Sequence, residues 1–214
     1  MRREKSEPSR PGRSNARRSH RRTRLRGCLA LLGSALSVLV LLQAPLHAAS
    51  TRALGLRDMV ERAGRIFLGQ CVERTVSTDA ATGIPVTTYT FRVVTSIKGV
   101  SGERTTFRIP GTPEHPFLDG LAVFEPGETA LLLLYPESPA GFSTPLGLDQ
   151  GRFRLIEREG RGTEVVNGRG NARVLTDVPA ELLPKRDPAS QREQRLELDV
   201  VLDVVRSLVA EDGG

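Results

Sequence analysis

Residues Thr87 to Gly99, T-T-Y-T-F-R-V-V-T-S-I-K-G, constrain the chain more than any other stretch, because they alternate as a strand does. Tyr89, Phe91, Val93, Thr95 and Ile97 fall on one face and Thr88, Thr90, Arg92, Ser96 and Lys98 on the other, the period of a half-buried strand; Val94 breaks it. The β-branched and aromatic residues suit a pleated surface, and Lys98-Gly99 closes it with a turn signal. Such a strand must find ladder partners for its backbone groups, and the flanking sequence offers them.

Upstream, Ile66 to Val76 reads as a first strand whose alternation slips at Gly69-Gln70, the signature of a bulge or a bend. Ser77 to Pro85 then makes the two into a long hairpin. Downstream come Glu103 to Ile109, Thr129 to Tyr135, Arg152 to Glu157 and a weak Glu164 to Val166. Ala130 to Leu134 is apolar on both faces and is predicted to be the most buried strand. Residues 112–127, with Pro113, Pro116 and Pro126 at neither helical nor strand spacing, read as a long irregular connection.

Two stretches are helical in period. Arg52 to Ala63 carries Leu56, Met59, Val60 and Ala63 on one side, with Gly64 as a stop. From Leu196, the stripe Leu198, Val201, Leu202, Val205, Leu208 and Val209 opposes Glu197, Asp199, Asp203 and Arg206. The expected organisation is mainly β: residues 51–166 as a small antiparallel barrel or strongly curled sheet with one short helix before it, 167–195 as a linker rich in Gly, Pro and charge, and 196–211 as an amphipathic C-terminal helix.

The net charge of +6 suggests a nucleic-acid partner until its location is considered. Residues 1–26 hold 11 of the 31 Lys and Arg but only Glu4 and Glu7 among the acids, a net of +9, whereas residues 51–214 carry 20 basic and 23 acidic residues. The basicity belongs to a leader with an Arg-rich start, an apolar run from Gly27 to Leu42 and a small-residue exit at Ala48-Ala49-Ser50, the three parts of an export signal. Cleavage is expected after Ser50 or one or two residues earlier. A helix over 27–42 would rise about 24 Å against a hydrocarbon core of about 30 Å, which favours a cleaved signal over a membrane anchor. Export to the periplasm, cell surface or medium is therefore expected, with single-pass anchoring through 27–42 as the alternative.

Candidate chemistry is sparse. His20, His47 and Cys28 fall in the leader, so the mature chain keeps one histidine, His115, and one cysteine, Cys71, which permits no internal disulfide. One His and one Cys cannot complete a zinc site of the usual kind, so no metal and no cofactor is expected. A Cys71–His115 nucleophilic pair is formally available, but Cys71 sits mid-strand among apolar residues, where cysteine is usually a small core residue. The acids Asp119 and Glu125, or Glu157 and Glu159, form no distinctive pair. Arg92, Lys98, Arg104, Arg108, Arg152 and Arg154 are too few, in a net acidic domain, to predict nucleic-acid binding.

The spaced blocks Asp58-x-Val60-x-x-Ala63-x-x-Ile66-Phe67-x-Gly69, Tyr89-Thr90-Phe91-x-Val93 through Lys98-Gly99, Phe124-x-Pro126-Gly127-Glu128 running into Leu131 to Leu134, and Gly147-Leu148-x-Gln150-Gly151-x-Phe153 resemble a family of exported bacterial proteins of uncharacterised activity. More remotely, the helix-then-hairpin opening and the strand-ending Lys-Gly are similar to netrin-like modules and the tissue inhibitors of metalloproteinases. That resemblance implies a five-stranded OB-type barrel with helices packed on it. Those inhibitors chelate zinc through a disulfide-held N-terminal cysteine, and this chain has no cysteine near Thr51.

These patterns point to an exported, non-catalytic binding module acting on another exported protein, a protease or a surface protein. The alternative is a small exported hydrolase. The candidate contact residues are His115, Phe117, Leu118 and Asp119, on the proline-stiffened connection and outside any strand pattern. N-terminal sequencing of the protein recovered from envelope or medium is expected to give a start near Thr51; a Met1 start in a cytosolic fraction would refute the export signal.

Overall fold

A computed structural model describes residues 52–158, 160, 162–183 and 196–213; the apolar run 27–42, the expected cleavage region and residues 184–195 lie outside the described residues. The chain from Thr51 onward is one compact unit. Helix α1 (Leu56–Arg62) leads into β1 (Arg65–Thr78), β2 (Pro85–Lys98), β3 (Arg104–Pro110), β4 (Thr129–Leu134), β5 (Arg152–Arg158), β6 (Gly162–Asn167) and β7 (Leu196–Glu197), and helix α2 (Leu198–Asp212) closes the order. The strands form a 7-stranded sheet, β3-β2-β1-β4-β5-β6-β7, antiparallel throughout. The chain is thus mainly β, with one helix before the first strand and one at its end. The ladder itself is not closed.

The two faces of the sheet bury separate cores. On one face Ile66, Leu68, Leu131, Leu133, Phe153 and Val165 meet Leu56, Met59 and Val60 of α1 and Val201, Val205 and Leu208 of α2. On the other, Phe67, Cys71, Tyr89, Phe91, Phe107, Ile109, Leu132 and Leu134 meet Leu121, Ala122 and Phe124 of the β3–β4 connection. β4 is apolar on both faces because it serves both cores, and Leu131 to Leu134 are fully buried.

Bulges explain where the β2 alternation fails. Thr95 lies opposite Leu68 and Val93 opposite Gly69, so Val94 is the extra residue. It is 57% exposed. Past it the strand changes side, and Ile97 packs with the helical core rather than with Tyr89 and Phe91. Gly69 sits at this slip, where an added Cβ would lie 2.9 Å from the Arg92 carbonyl oxygen.

The outer half of the sheet curls. Arg65 Nη1, on β1, reaches across to donate to the Thr106 carbonyl of β3 at 2.9 Å. Beyond β3, Ser143 N donates to Arg108 O at 3.0 Å while Tyr135 N donates to Thr144 O at 2.9 Å. Single hydrogen bonds therefore link the β3 edge toward the end of β4 without a ladder. At the β1–β2 turn Asp79 pairs with Arg108. The Arg108 guanidinium, with help from Thr82, holds the Asp79 carboxyl far below the usual carboxylate range.

Two boundaries differ from expectation. Helix α1 starts at Leu56, not Arg52, because residues before it are claimed by Gln150: Leu54 N donates to Gln150 Oε1 at 2.8 Å and Gln150 Nε2 to Arg52 O at 3.1 Å. Asp177 accepts from Arg57 N at 3.2 Å and Asp58 N at 3.0 Å, capping the helix from a distant segment. A Cβ on Gly55 would lie 2.0 Å from Asp177 Oδ2, so a larger residue there would have to displace the capping carboxylate.

The described part of the expected linker is packed. Residues 168–178 run through consecutive turns that bury Val174 and Val178. Asn167 and Asn171 hold each other's backbone amides at 3.0 and 2.9 Å, and Asn171 Nδ2 donates to Val165 O at 2.8 Å. Val174, Leu175 and Val178 form too short an apolar set, inside a stretch rich in Gly, Pro and charge, to stand out from a linker by pattern alone.

Phe124 is the centre of the aromatic core, with ring centroids 5.0 Å from Tyr89, 5.3 Å from Phe91 and 5.7 Å from Phe107. Phe124→Ala is expected to cost about 3–5 kcal/mol in urea unfolding; a loss below about 1 kcal/mol would show that the connection does not seal this core.

Candidate functional site

The β3–β4 connection is a long loop with an anchored base and an exposed tip. Its first turn is pinned where Gly111 N donates to Pro85 O at 2.8 Å and Thr112 N exchanges hydrogen bonds with His115, at 3.0 and 3.1 Å. Thr87 Oγ1 donates to Gly111 O at 2.8 Å. Its return is pinned by two arginines. Arg74 pairs with Glu125 at 2.6 Å and donates to Phe124 O at 3.4 Å. Arg152 donates to Val123 O at 2.5 Å, lies over the Phe124 ring at 5.3 Å, and pairs with Glu128 at 3.4 Å and Asp149 at 2.6 Å. Cys71 N then donates to Glu128 O at 2.8 Å, and Gly127 N donates back to Cys71 O at 2.7 Å.

Between these anchors Phe117 is 66% and Leu118 52% exposed. His115 and Asp119 beside them are also exposed. All four expected contact residues thus share one tip. Residues 112–128 contain Glu114, Asp119, Glu125 and Glu128 and no Lys or Arg. Hydrogen bonds from its own amide and from Thr112 hold the Glu114 carboxyl below the usual carboxylate range. The tip is therefore an apolar pair in an acidic setting, on a base that cannot easily move.

Other candidates are not brought together. Cys71 lies fully buried on the aromatic side of β1, its thiol donating weakly to Glu73 O at 3.7 Å, while His115 is at the exposed tip. Burial pushes the thiol up to about 11, the opposite of an activated nucleophile. Glu125 is spent on Arg74. Glu157 accepts from Thr163 Oγ1 at 3.1 Å, and its partner Glu159 lies outside the described residues. Among the described residues no group of three His, Cys, Asp or Glu side chains could hold a metal ion, and no helix is long and apolar enough to cross a membrane. A shallow cleft of 180 Å³ lies between α1 and the end of α2, lined by Arg57, Glu61, Leu208, Glu211 and Asp212.

Arg74 and Arg152 went unrecognised as loop anchors because their partners lie 51 and 24 residues away. The signal that could have raised them is weak: a run of acids without basic residues has to find its cations elsewhere in the chain.

Compared with models of known families, with curated proteins and with solved structures, the chain matches none.

The Cys71 thiol gives a pH prediction. Its pKa is raised on folding, so the folded state keeps the proton longer than the unfolded chain, whose thiol titrates near about 8.5. The stability that the neutral thiol contributes is full below that pH and falls as pH rises from about 8.5 toward about 11. The native protein is expected to resist a chromogenic disulfide reagent at pH 8 and to react completely in urea; rapid reaction of the native form would restore Cys71 as an accessible nucleophile. Cys71→Ala should cost about 1 kcal/mol.

Proposed function

We propose that the protein is an exported, non-catalytic binding module of the cell envelope that engages another exported protein through the β3–β4 loop. The observation that carries this reading is the exposure of Phe117 and Leu118, 66% and 52%, on a loop whose base is fixed by Arg74 and Arg152. Large apolar side chains on a rigid loop lose little conformational entropy on binding, which is how anchor residues gain affinity. The acidic surroundings fit a partner with a basic rim around an apolar pocket. An exported protease or another surface protein is the partner class.

The curled half made of β3, β2, β1 and β4, tied by Arg65 and Ser143, is read as an OB-like barrel of netrin-like type, with α2 as an addition docked on the helical core. Anchoring by residues 27–42 instead of cleavage would leave the loop reading unchanged.

The test is capture from envelope extract by the chain starting at Thr51, with Phe117→Ala/Leu118→Ala as the comparison. Both side chains are exposed, so the double variant is expected to change stability by no more than about 0.5 kcal/mol while the partner is lost. A photo-crosslinking residue at position 117 should label that same partner in cells. Equal capture by both forms removes the loop from the proposal, and no partner under any condition counts against a binding module.

A further inference from the structure

The face of β1, β2 and β3 opposite the aromatic core is bare, and it holds an unbalanced charge pair. Thr90 and Thr106 are partners across β2 and β3, and their hydroxyl oxygens lie 3.3 Å apart. They therefore share this outer face. Arg92 and Arg104 are partners in the same register, two residues along, and project from the same side. Directly opposed side chains on antiparallel strands stand about 5 Å apart at Cβ, where like charges destabilise the pairing.

Both arginines are exposed. Neither is in an ion pair among the described residues; the Arg92 guanidinium donates to the neutral Gln70 Oε1 at 2.8 Å. The nearest acids by register and sequence are Glu73, opposite Thr90, and Glu103, just before Arg104, and neither reaches ion-pair distance of them. Other arginines of these strands have protein partners: Arg74 pairs with Glu125 and Arg108 with Asp79, and Arg65 donates to the Thr106 carbonyl. The fold gains nothing from Arg92 opposite Arg104, whereas an oxyanion lying between two guanidiniums turns the repulsion into charge-assisted hydrogen bonds.

We propose that this face binds a linear polyphosphate, with phosphates over Arg92 and Arg104 and the hydroxyls of Thr90 and Thr106 as further donors. The site is flat and has no buried wall, so a lone phosphate is held weakly, while a chain of them gains from repeated contacts. A membrane fits less well, because the large exposed apolar side chains of the hairpin are three valines, Val72, Val76 and Val94, and interfacial docking needs a broader apolar face with aromatic or leucine side chains.

The test uses the chain starting at Thr51, which forms a compact unit with both cores and lacks the net +9 of residues 1–26. The probes are inorganic polyphosphate, orthophosphate and phosphatidylglycerol vesicles, each titrated across a salt series. Polyphosphate is expected to bind, and Arg92→Gln/Arg104→Gln to weaken it by about tenfold or more and to reduce the slope of log affinity against log salt by about 1 per arginine. The urea midpoint of the double variant should equal or exceed that of the parent, since a repulsion has been removed. Arg154→Gln, an exposed arginine of β5, matches the charge change of Arg104→Gln and should leave binding intact. The proposal fails if Arg154→Gln weakens binding as much as Arg104→Gln, if polyphosphate does not bind, or if only vesicles bind.

Discussion

A length mismatch between neighbouring strands governs the rest of this structure. β1 and β2 are each 14 residues long and pair over nearly their whole length, but β4, on the other side of β1, has 6 residues and reaches only from Arg65 to Gln70. The far half of the hairpin therefore has no fourth strand to curl against, and its aromatic face would stand open to water. Burying a large apolar side chain contributes about 1.5–3 kcal/mol, so leaving Tyr89, Phe91 and Phe107 wet would sacrifice much of a domain's net stability. The connection from β3 to β4 fills the gap with Leu121, Ala122 and Phe124. Its length follows from this structural task, and its anchored base is a consequence.

The same mismatch sets how the polar groups are used. Wherever the connection crosses β1 or β5, an arginine from the sheet meets it: Arg74 at Glu125 and Phe124 O, Arg152 at Val123 O and Glu128. Arg152 is only slightly exposed and its neighbours Glu128 and Asp149 are nearly as covered, so this pairing is shielded from the screening that makes surface ion pairs weak. Removing Arg152 would strand two carboxylates and a carbonyl together, and the loop would be the first element to loosen.

Much of this was legible in the chain and some was not. The strands from Thr87 to Gly99 and from Thr129 to Tyr135 declared themselves because burial on one face imposes a period of two and burial on both removes it. The slip at Gly69 was visible, yet its effect on Ile97 was not, since a bulge changes which face is inside only once the partner's register is known. The packing of Val174 and Val178 and the Asp177 cap on α1 depend on contacts across more than a hundred residues, such as Asp58 with Asp177, and local pattern contains no trace of them. For the tip, exposure of Phe117 and Leu118 could be inferred from their place outside any strand period; that their platform is rigid could not.

The hairpin formed by β1 and β2 thus presents two chemically opposite surfaces. Its inner face is aromatic and is closed by a loop that carries only acidic charge, and its outer face carries threonines and the uncompensated Arg92 and Arg104. A chain with 20 basic and 23 acidic residues after position 50 has enough carboxylates to neutralise both arginines, so their isolation reflects placement rather than composition. The loop tip carries Glu114 and Asp119 with no Lys or Arg in the loop, and the outer face sets Arg92 opposite Arg104 with Glu73 beside Thr90. A single large partner of one charge could not satisfy both surfaces, because like charge at either one would oppose docking. If both proposals hold, the two ligands would be separate, one at the tip of the β3–β4 loop and one on the outer face of β2 and β3.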